Sequence, residues 1–250
     1  MSALSDFRLR RKVVSLVREW RQGAPLPLII LPSTATSLGF AAQLSRDMPV
    51  AVIGNPRLLA DWAPSLCASV KSPLEMWRDV KACKRLPHAV VSYPDQLTGV
   101  DPSFHKVAIG GSHCTFSIIE VMLLMKFRSP AYLGKVRFHG RGEKAASTLA
   151  LHRFAGEVST GLPKEEFDGW MLRLMEPVIE CSRNPHDGWL ARDVFALKVD
   201  ENFEMMLKIR LLEIEGLLRM GGDFPELGSL YRELQVELQS LRRKPRLLAA

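Results

Sequence analysis

Leu28-Ile29-Ile30-Leu31-Pro32-Ser33-Thr34, and after it Val50-Ala51-Val52-Ile53-Gly54-Asn55-Pro56, decide the fold class. Each opens with four consecutive apolar residues and closes on turn formers. A strand with one solvated face alternates apolar and polar residues, whereas an unbroken apolar run of this length reads as a strand buried on both faces. Ser37 to Arg46 between them reads as a helix, so the unit is strand, helix, strand. Outward from there, a third strand, Ala89 to Tyr93, leads into Pro94-Asp95-Gln96, and a fourth, Lys106 to Ile109, ends in Gly110-Gly111. Ser117 to Phe127 is a strongly apolar helix, closed by Arg128-Ser129-Pro130 and followed by strand material at Ala131 to Phe138. This order predicts an α/β fold with a mostly parallel central sheet flanked by helices. After Lys164 the pattern is helical: Glu165 to Ser182, Asp200 to Met220 and Phe224 to Arg243.

Composition agrees with one substantial core: 250 residues, 47% of them hydrophobic. Cys67, Cys83, Cys114 and Cys181 lack CxxC spacing, which points to plain thiols in a reducing compartment. No stretch approaches the roughly 18 to 20 apolar residues of a membrane span. Met1 to Gly23 alternates charge with apolar residues and does not read as a signal peptide. The expected location is the cytoplasm, with peripheral attachment to the inner membrane as an open alternative.

The net charge of +7 is unevenly placed. Arg8, Arg10, Arg11, Lys12, Arg18 and Arg21 stand against Asp6 and Glu19, and Arg242, Arg243, Lys244 and Arg246 gather near the other end. The body between is close to neutral, which argues against a nucleic-acid groove across the fold. Leu4 to Arg21 places Phe7, Val13, Val14, Val17 and Trp20 near one stripe of a basic amphipathic helix, stopped by Gly23 and Pro25. Such a helix either packs on the domain with a solvated basic face or lies at an anionic membrane surface through residues 4–21.

Chemistry-bearing motifs are sparse. There is no phosphate-binding loop, no Gly-x-Ser-x-Gly elbow and no complete dinucleotide fingerprint, and neither cofactor nor metal is expected. His113, in Gly110-Gly111-Ser112-His113-Cys114, follows a strand end and precedes a helix, a place where reactive groups sit in α/β folds. It is the candidate base, against the alternative of a satisfied loop histidine. His105, four residues after Asp101, is weaker because Pro102 implies a loop, and His88, His139, His152 and His186 read as ordinary surface residues. Arg57, after the second strand, is placed to meet a phosphate or to be solvated.

The block Ala89 to Phe138, with its Pro-Asp-Gln turn, its strand ending in Gly110-Gly111, its apolar helix and Arg128-Ser129-Pro130-Ala131, resembles the central block of the lipid A lauroyl/myristoyl acyltransferase family. Leu172 to Arg192, with Leu174, Glu176, Ile179, Glu180, Asn184-Pro185 and Trp189, is similar to that family's closing helix. The departures are Trp189 four residues after Pro185, one more than usual, and Ala191-Arg192-Asp193 in place of the His-Arg-Arg ending. Three regions are expected: from periodicity a basic amphipathic helix over 1–24 and a helical extension over 198–250, and between them an α/β domain over 25–197 that the resemblance implies is acyltransferase-like.

The resemblance also implies a site. Family members follow the first strand with a histidine, four intervening residues and an acid; aligned here, those positions are Thr34 and Gly39. A substrate hydroxyl needs a base to attack a thioester, and a carboxylate must hold the imidazole in the right tautomer. Threonine supplies no such basicity and glycine no carboxylate. Loss of a general base costs about 100-fold to 10,000-fold. The substrate-binding positions the resemblance implies are Thr34, Arg57, Asp95, Gln96, Gly110 and Gly111, and the implied partner is an acyl carrier protein or acyl thioester donor. Two functions follow: an acyltransferase-like protein handling a fatty or polyketide-type acyl chain in bacterial lipid or pigment biosynthesis, or a non-catalytic subunit that binds the acyl chain or its carrier. A working site is expected to bring Thr34, His113 and Asp95 into one cleft with an apolar tunnel; a scaffold is expected to have that cleft filled.

Overall fold

The computed structural model describes residues 3–97, 104–109, 112–139, 146–154, 164–183, 186–196, 207–208, 211–212, 214–215 and 225–243. Among the described residues, eight strands form a six-stranded sheet and a separate two-stranded sheet. The strands are β1 (Leu28–Ile30), β2 (Val50–Ile53), β3 (Val70–Lys71), β4 (Ala89–Ser92), β5 (Phe104–Ile109), β6 (Ser112–Ser117), β7 (Ala131–His139) and β8 (Ala146–Arg153). The large sheet runs β3-β2-β4-β1-β7-β8, parallel throughout except for β7 against β8. The expected α/β class is therefore the observed one. The helices are α1 (Ala3–Arg21), α2 (Ala35–Asp47), α3 (Pro56–Trp62), α4 (Pro73–Val80), α5 (Ile119–Phe127), α6 (Lys164–Leu174), α7 (Glu176–Arg183), α8 (Arg192–Ala196) and α9 (Pro225–Arg243).

The unbroken apolar runs are explained by helices on both faces. Along β1, Leu28 and Ile30 join a core with Met76 and Val80 of α4, Leu123 and Leu124 of α5, and Met171 and Leu174 of α6. Ile29 and Leu31 point the other way, into a core with Val13 and Val17 of α1 and Leu38, Phe40 and Leu44 of α2. Strand alternation sends successive side chains to opposite faces, so a sheet clad on both sides needs every position apolar. Leu28, Ile29, Ile30 and Leu31 are each 0% exposed. Burial on that scale stabilises by about 1.5–3 kcal/mol per large side chain.

This layering creates a switch point. The chain leaves β1 through α2 towards β2, on one face, and leaves β4 through the hairpin and α5 towards β7, on the other. β1 and β4 are hydrogen-bonded neighbours, so their connections diverge from a common edge, where open α/β sheets place their ligand crevice.

Three sequence expectations change. The strand at Lys106 to Ile109 is longer and does not enter the large sheet; it pairs antiparallel with β6, a stretch whose sequence reads as the approach to a helix. The single helix expected over Glu165 to Ser182 is two, α6 and α7, because Pro177 lacks the N–H and the room to continue a helix through its own position and so starts a new one. In α1 the buried face is Val13, Leu16 and Val17 with Trp20 half-buried, whereas Val14 is 54% exposed. At 3.6 residues per turn, positions 13, 16, 17 and 20 share a face and 14 turns off it. Phe7's side chain lies outside the described residues, as does most of the helix expected over Asp200 to Met220. Leu207, Leu211, Ile214 and Leu234 form a third cluster joining that stretch to α9. β3, α3, α4 and β8 are not among the elements expected from the sequence, although Ser72-Pro73-Leu74-Glu75 is the capping box that opens α4.

Among the described residues, no helix is long and apolar enough to cross a membrane.

Candidate functional site

β1 delivers Pro32-Ser33-Thr34 to the switch point, and β4 delivers a single 3-10 turn, Pro94–Gln96. Leu31 N donates to Ser92 O at 2.9 Å, which holds the two strand ends together. Asp95 then reaches across to β1: its Oδ2 accepts from Ser33 N at 2.6 Å and its Oδ1 from Ser33 Oγ at 2.9 Å. The indole of Trp189 closes the group from the far end of the chain, its Nε1 donating to Asp95 Oδ2 at 2.7 Å. A carboxylate in an apolar interior is tolerated only when its oxygens are met by donors in this way.

Gln96 extends the network sideways. Its Nε2 donates to Ser33 Oγ at 2.7 Å and its Oε1 accepts from Asn55 N at 3.0 Å, tying the end of β2 to those of β1 and β4. Gly54 permits that approach, since a Cβ there would stand 2.7 Å from Gln96 Oε1 and 2.8 Å from Leu59 Cδ1. Ser33, Thr34 and Asp95 are 0% exposed, Gln96 1% and Trp189 3%.

Thr34 has a structural task. It is the N-cap of α2, its Oγ1 accepting from Ser37 N at 3.1 Å while Ser37 Oγ accepts from Thr34 N at 2.9 Å, a reciprocal capping box. Its backbone also forms an isolated bridge with Trp189, and Leu190 N donates to Ser33 O at 2.8 Å. The segment carrying Trp189 is thus laid over the end of β1 as a cover. Trp189 packs on Phe195 of α8 with ring centroids 5.2 Å apart. Gly39 lies on the exposed side of α2, where a Cβ would meet nothing within 4 Å. The two positions aligned with a catalytic dyad therefore face different surroundings, one sealed and one open.

Neighbouring groups are held neutral. Tyr93 OH donates to Ser37 O at 3.0 Å, and burial, then the charge of Asp95, push its proton affinity far above the usual phenol. Cys181 is pushed up to about 12, again by burial first and Asp95 second. Neither is a nucleophile near neutral pH. A second buried contact, Ser92 Oγ donating to Glu120 Oε1 at 2.5 Å, joins β4 to α5.

Of the expected site residues, Thr34, Asp95 and Gln96 do come together. Arg57 is exposed in the first turn of α3 and stands outside the buried network. Gly110 and Gly111 lie outside the described residues. His113 is not at a helix start: it sits on β6 with Ala108 opposite, in the separate two-stranded sheet, and its side chain lies outside the described residues. The imidazole that does meet a carboxylate is His105 of β5, whose Nε2 is 2.5 Å from Asp168 Oδ1 of α6, with Phe167 edge-on to the ring at 4.8 Å. His186 accepts from Gly188 N at 3.0 Å and stacks on Phe138. Among the described residues, no group of three or more His, Cys, Asp and Glu side chains could hold a metal ion.

No protein-family model matches the chain, and no curated protein matches it.

Sequence reasoning missed Ser33 and Asn55 and gave Trp189 no place in the site. Trp189 carried only the general tendency of a buried indole N–H to find an acceptor, and its partner lies 94 residues away. Ser33 carried no signal beyond its place after a buried strand. The carboxylate, hydroxyl, amide and indole of Asp95, Ser33, Gln96 and Trp189 hydrogen-bond to one another in a buried network at the ends of β1 and β4.

Proposed function

We propose that this chain is a non-catalytic relative of the lipid A lauroyl/myristoyl acyltransferases, a subunit that binds an acyl chain or its carrier protein in bacterial lipid or pigment biosynthesis. The observation that carries this reading is the plugged switch point: Thr34 and Asp95 are 0% exposed, and Trp189 donates into the carboxylate that a substrate would have to reach. With Thr34 spent on a helix cap and Gly39 offering no carboxylate, no dyad stands at the aligned positions to activate a hydroxyl. The layered α/β frame, with its Pro94–Gln96 turn at the end of a central strand, is compatible with descent from such an enzyme.

A second reading, an active acyltransferase with a relocated base, draws on His105 and Asp168. An imidazole held by a carboxylate is the arrangement a general base requires, and both side chains keep partial exposure, 24% and 34%. One experiment separates the two. Purified protein is incubated with a carrier protein loaded with a fatty acyl chain and with hydroxyl and amine acceptors, and intact masses are followed for wild type, His105→Ala and His113→Ala. Carrier binding without acyl transfer is the expected result. Transfer that disappears with either alanine variant makes the protein an enzyme, and absence of both binding and transfer removes the acyl function.

A further inference from the structure

We infer that the outer side of α4, together with the last turn of α5, docks on an anionic lipid surface. Both helices pack on one core, through Met76 and Val80 of α4 and Leu123 and Leu124 of α5, and both lead to the edge of the sheet where β4 and β7 begin. The buried network around Asp95 lies at the other ends of the strands. Lys126 Nζ donates to Lys81 O at 2.9 Å, which brings the two helix ends together. Arg78, Lys81, Lys84, Arg85, Lys126 and Arg128 are exposed, and among the described residues none of them is ion-paired. No acid occurs from Val80 to Pro94 or from Val121 to Gly142. The two acids of α4 are exposed on its flank and engaged there: Asp79 pairs with Lys71, and Glu75 Oε2 accepts from Ser72 N at 2.7 Å. With Lys71 included, seven cations stand against two acids, a local excess of five.

At 3.6 residues per turn, Leu74, Arg78 and Lys81 fall within about 60° of one another and about 120–180° from the middle of the buried pair Met76 and Val80. They form one outward ridge, on which Leu74 is 54% exposed. Arg128 ends α5 with φ 49° and ψ 33°, the one non-glycine residue with positive φ among the described residues. A left-handed residue closing a helix is ordinarily glycine, so an arginine there carries strain that glycine would avoid. What the position gains is a further cation beside Lys126. The chemistry selects the occupant. Anionic headgroups attract cations wherever these stand on a common outward surface, because the attraction follows the surface potential and not paired geometry. An exposed leucine among the cations then has a place in the acyl boundary. A nucleic acid offers that leucine nothing, and Trp77 and Phe127 are half-buried on the core instead of presented for stacking. The inference does not rest on the acyl function proposed above, since this surface lies apart from the crevice.

The test is cosedimentation of the full chain with vesicles of phosphatidylcholine alone and of phosphatidylcholine with phosphatidylglycerol, beside a duplex DNA fragment as a second polyanion. Binding is expected only where phosphatidylglycerol is present, and it is expected to weaken with salt. Lys84→Glu with Arg85→Glu is expected to lose about a hundredfold in affinity and the milder Lys84→Gln with Arg85→Gln about tenfold, each with unchanged circular dichroism. Arg18→Glu with Arg21→Glu, an equal change of net charge on α1, is expected to lose only a fewfold. Leu74→Ser leaves every charge in place and is expected to lose severalfold. Absence of binding to the phosphatidylglycerol vesicles overturns the inference, as does an equal loss from the two charge reversals or indifference to Leu74→Ser. Tighter binding to the DNA fragment than to the vesicles assigns the surface to a nucleic acid and overturns it as well.

Discussion

Trp189 donates its indole N–H to Asp95 over 2.7 Å although the two residues are 94 positions apart in the chain. This bond joins the last part of the α/β unit to the turn after a central strand, and it closes the crevice from above. Trp189→Phe keeps most of the ring packing and removes the donor, leaving a buried carboxylate short of one partner. The expected loss is about 1–3 kcal/mol in urea denaturation. Trp189→Ala adds a cavity and is expected to cost about 3–5 kcal/mol. Equal stability of the phenylalanine variant and wild type would mean the bond carries no net weight.

Thr34→His together with Gly39→Asp is not expected to give acyl-transfer activity. Thr34→His removes the N-cap hydroxyl of α2, worth about 0.5–2 kcal/mol, and puts a ring where exposure is zero. Combined with Gly39→Asp, it is expected to lower the melting temperature and to leave acyl transfer undetectable by intact mass. A gain of transfer in the double variant would show that the crevice opens.

Two glycines have opposite expected outcomes. A Cβ on Gly134 of β7 would stand 2.2 Å from Leu31 Cδ2 and 2.9 Å from Leu149 Cδ1, inside a packed core. Gly134→Ala is therefore expected to destabilise by about 1–3 kcal/mol. Gly39 is on the open side of a helix, so Gly39→Ala is expected to stabilise by about 0.4–1 kcal/mol through propensity and unfolded-state entropy. Thermal melts of the two variants side by side check both signs.

Stability is expected to fall in alkali for a local reason. Cys181 and Tyr93 keep their protons in the folded protein well above their ordinary values of 9.0 and 10.0. The unfolded chain binds fewer protons than the folded one from about pH 9 upward, so this contribution is complete below that pH and is lost as pH rises towards about 12. Cys181→Ala is expected to flatten the dependence in denaturation series across that window. An unchanged slope would assign the alkaline loss to other groups.

Thiol labelling gives an independent check on burial. Cys67 is exposed and Cys83 half-buried, whereas Cys114 and Cys181 are buried. Under native conditions near pH 8, an alkylating reagent is expected to modify Cys67 first and Cys181 only at the rate of opening. Prompt modification of Cys181 would contradict the packing around Asp95.

Much of the frame was legible because its signal is local. Val50 to Ile53 is a strand from end to end, the other buried runs differ from expectation by a residue or two, and α1 and α9 match their periodic patterns to within about a residue. The pairing of β5 with β6 was not, because Cys114 and Phe116 alternate with His113, Thr115 and Ser117 over only five residues, a run too short to say which strand it joins. Thr34, Asp95 and Gln96 lie close together at the ends of β1 and β4, and the task of Thr34 was not legible: a threonine after a strand reads alike as ligand contact or helix cap until Ser37 is seen to complete the box. His105 reads as weak beside Asp101 because Pro102 implies a loop there, and its actual carboxylate, Asp168, lies 63 residues on.

By itself, then, the sequence determined the α/β class, the two-sided burial of the central strands and the basic first helix, because each depends on residues within a few turns of one another. Only the tertiary structure decided that β1 and β4 meet at a switch point, that Trp189 covers them, and that α1 spends its apolar stripe on the domain and shows its arginines outward. Those outcomes rest on contacts between segments far apart in the chain, where side-chain packing and the need to pair a buried carboxylate outweigh local preference.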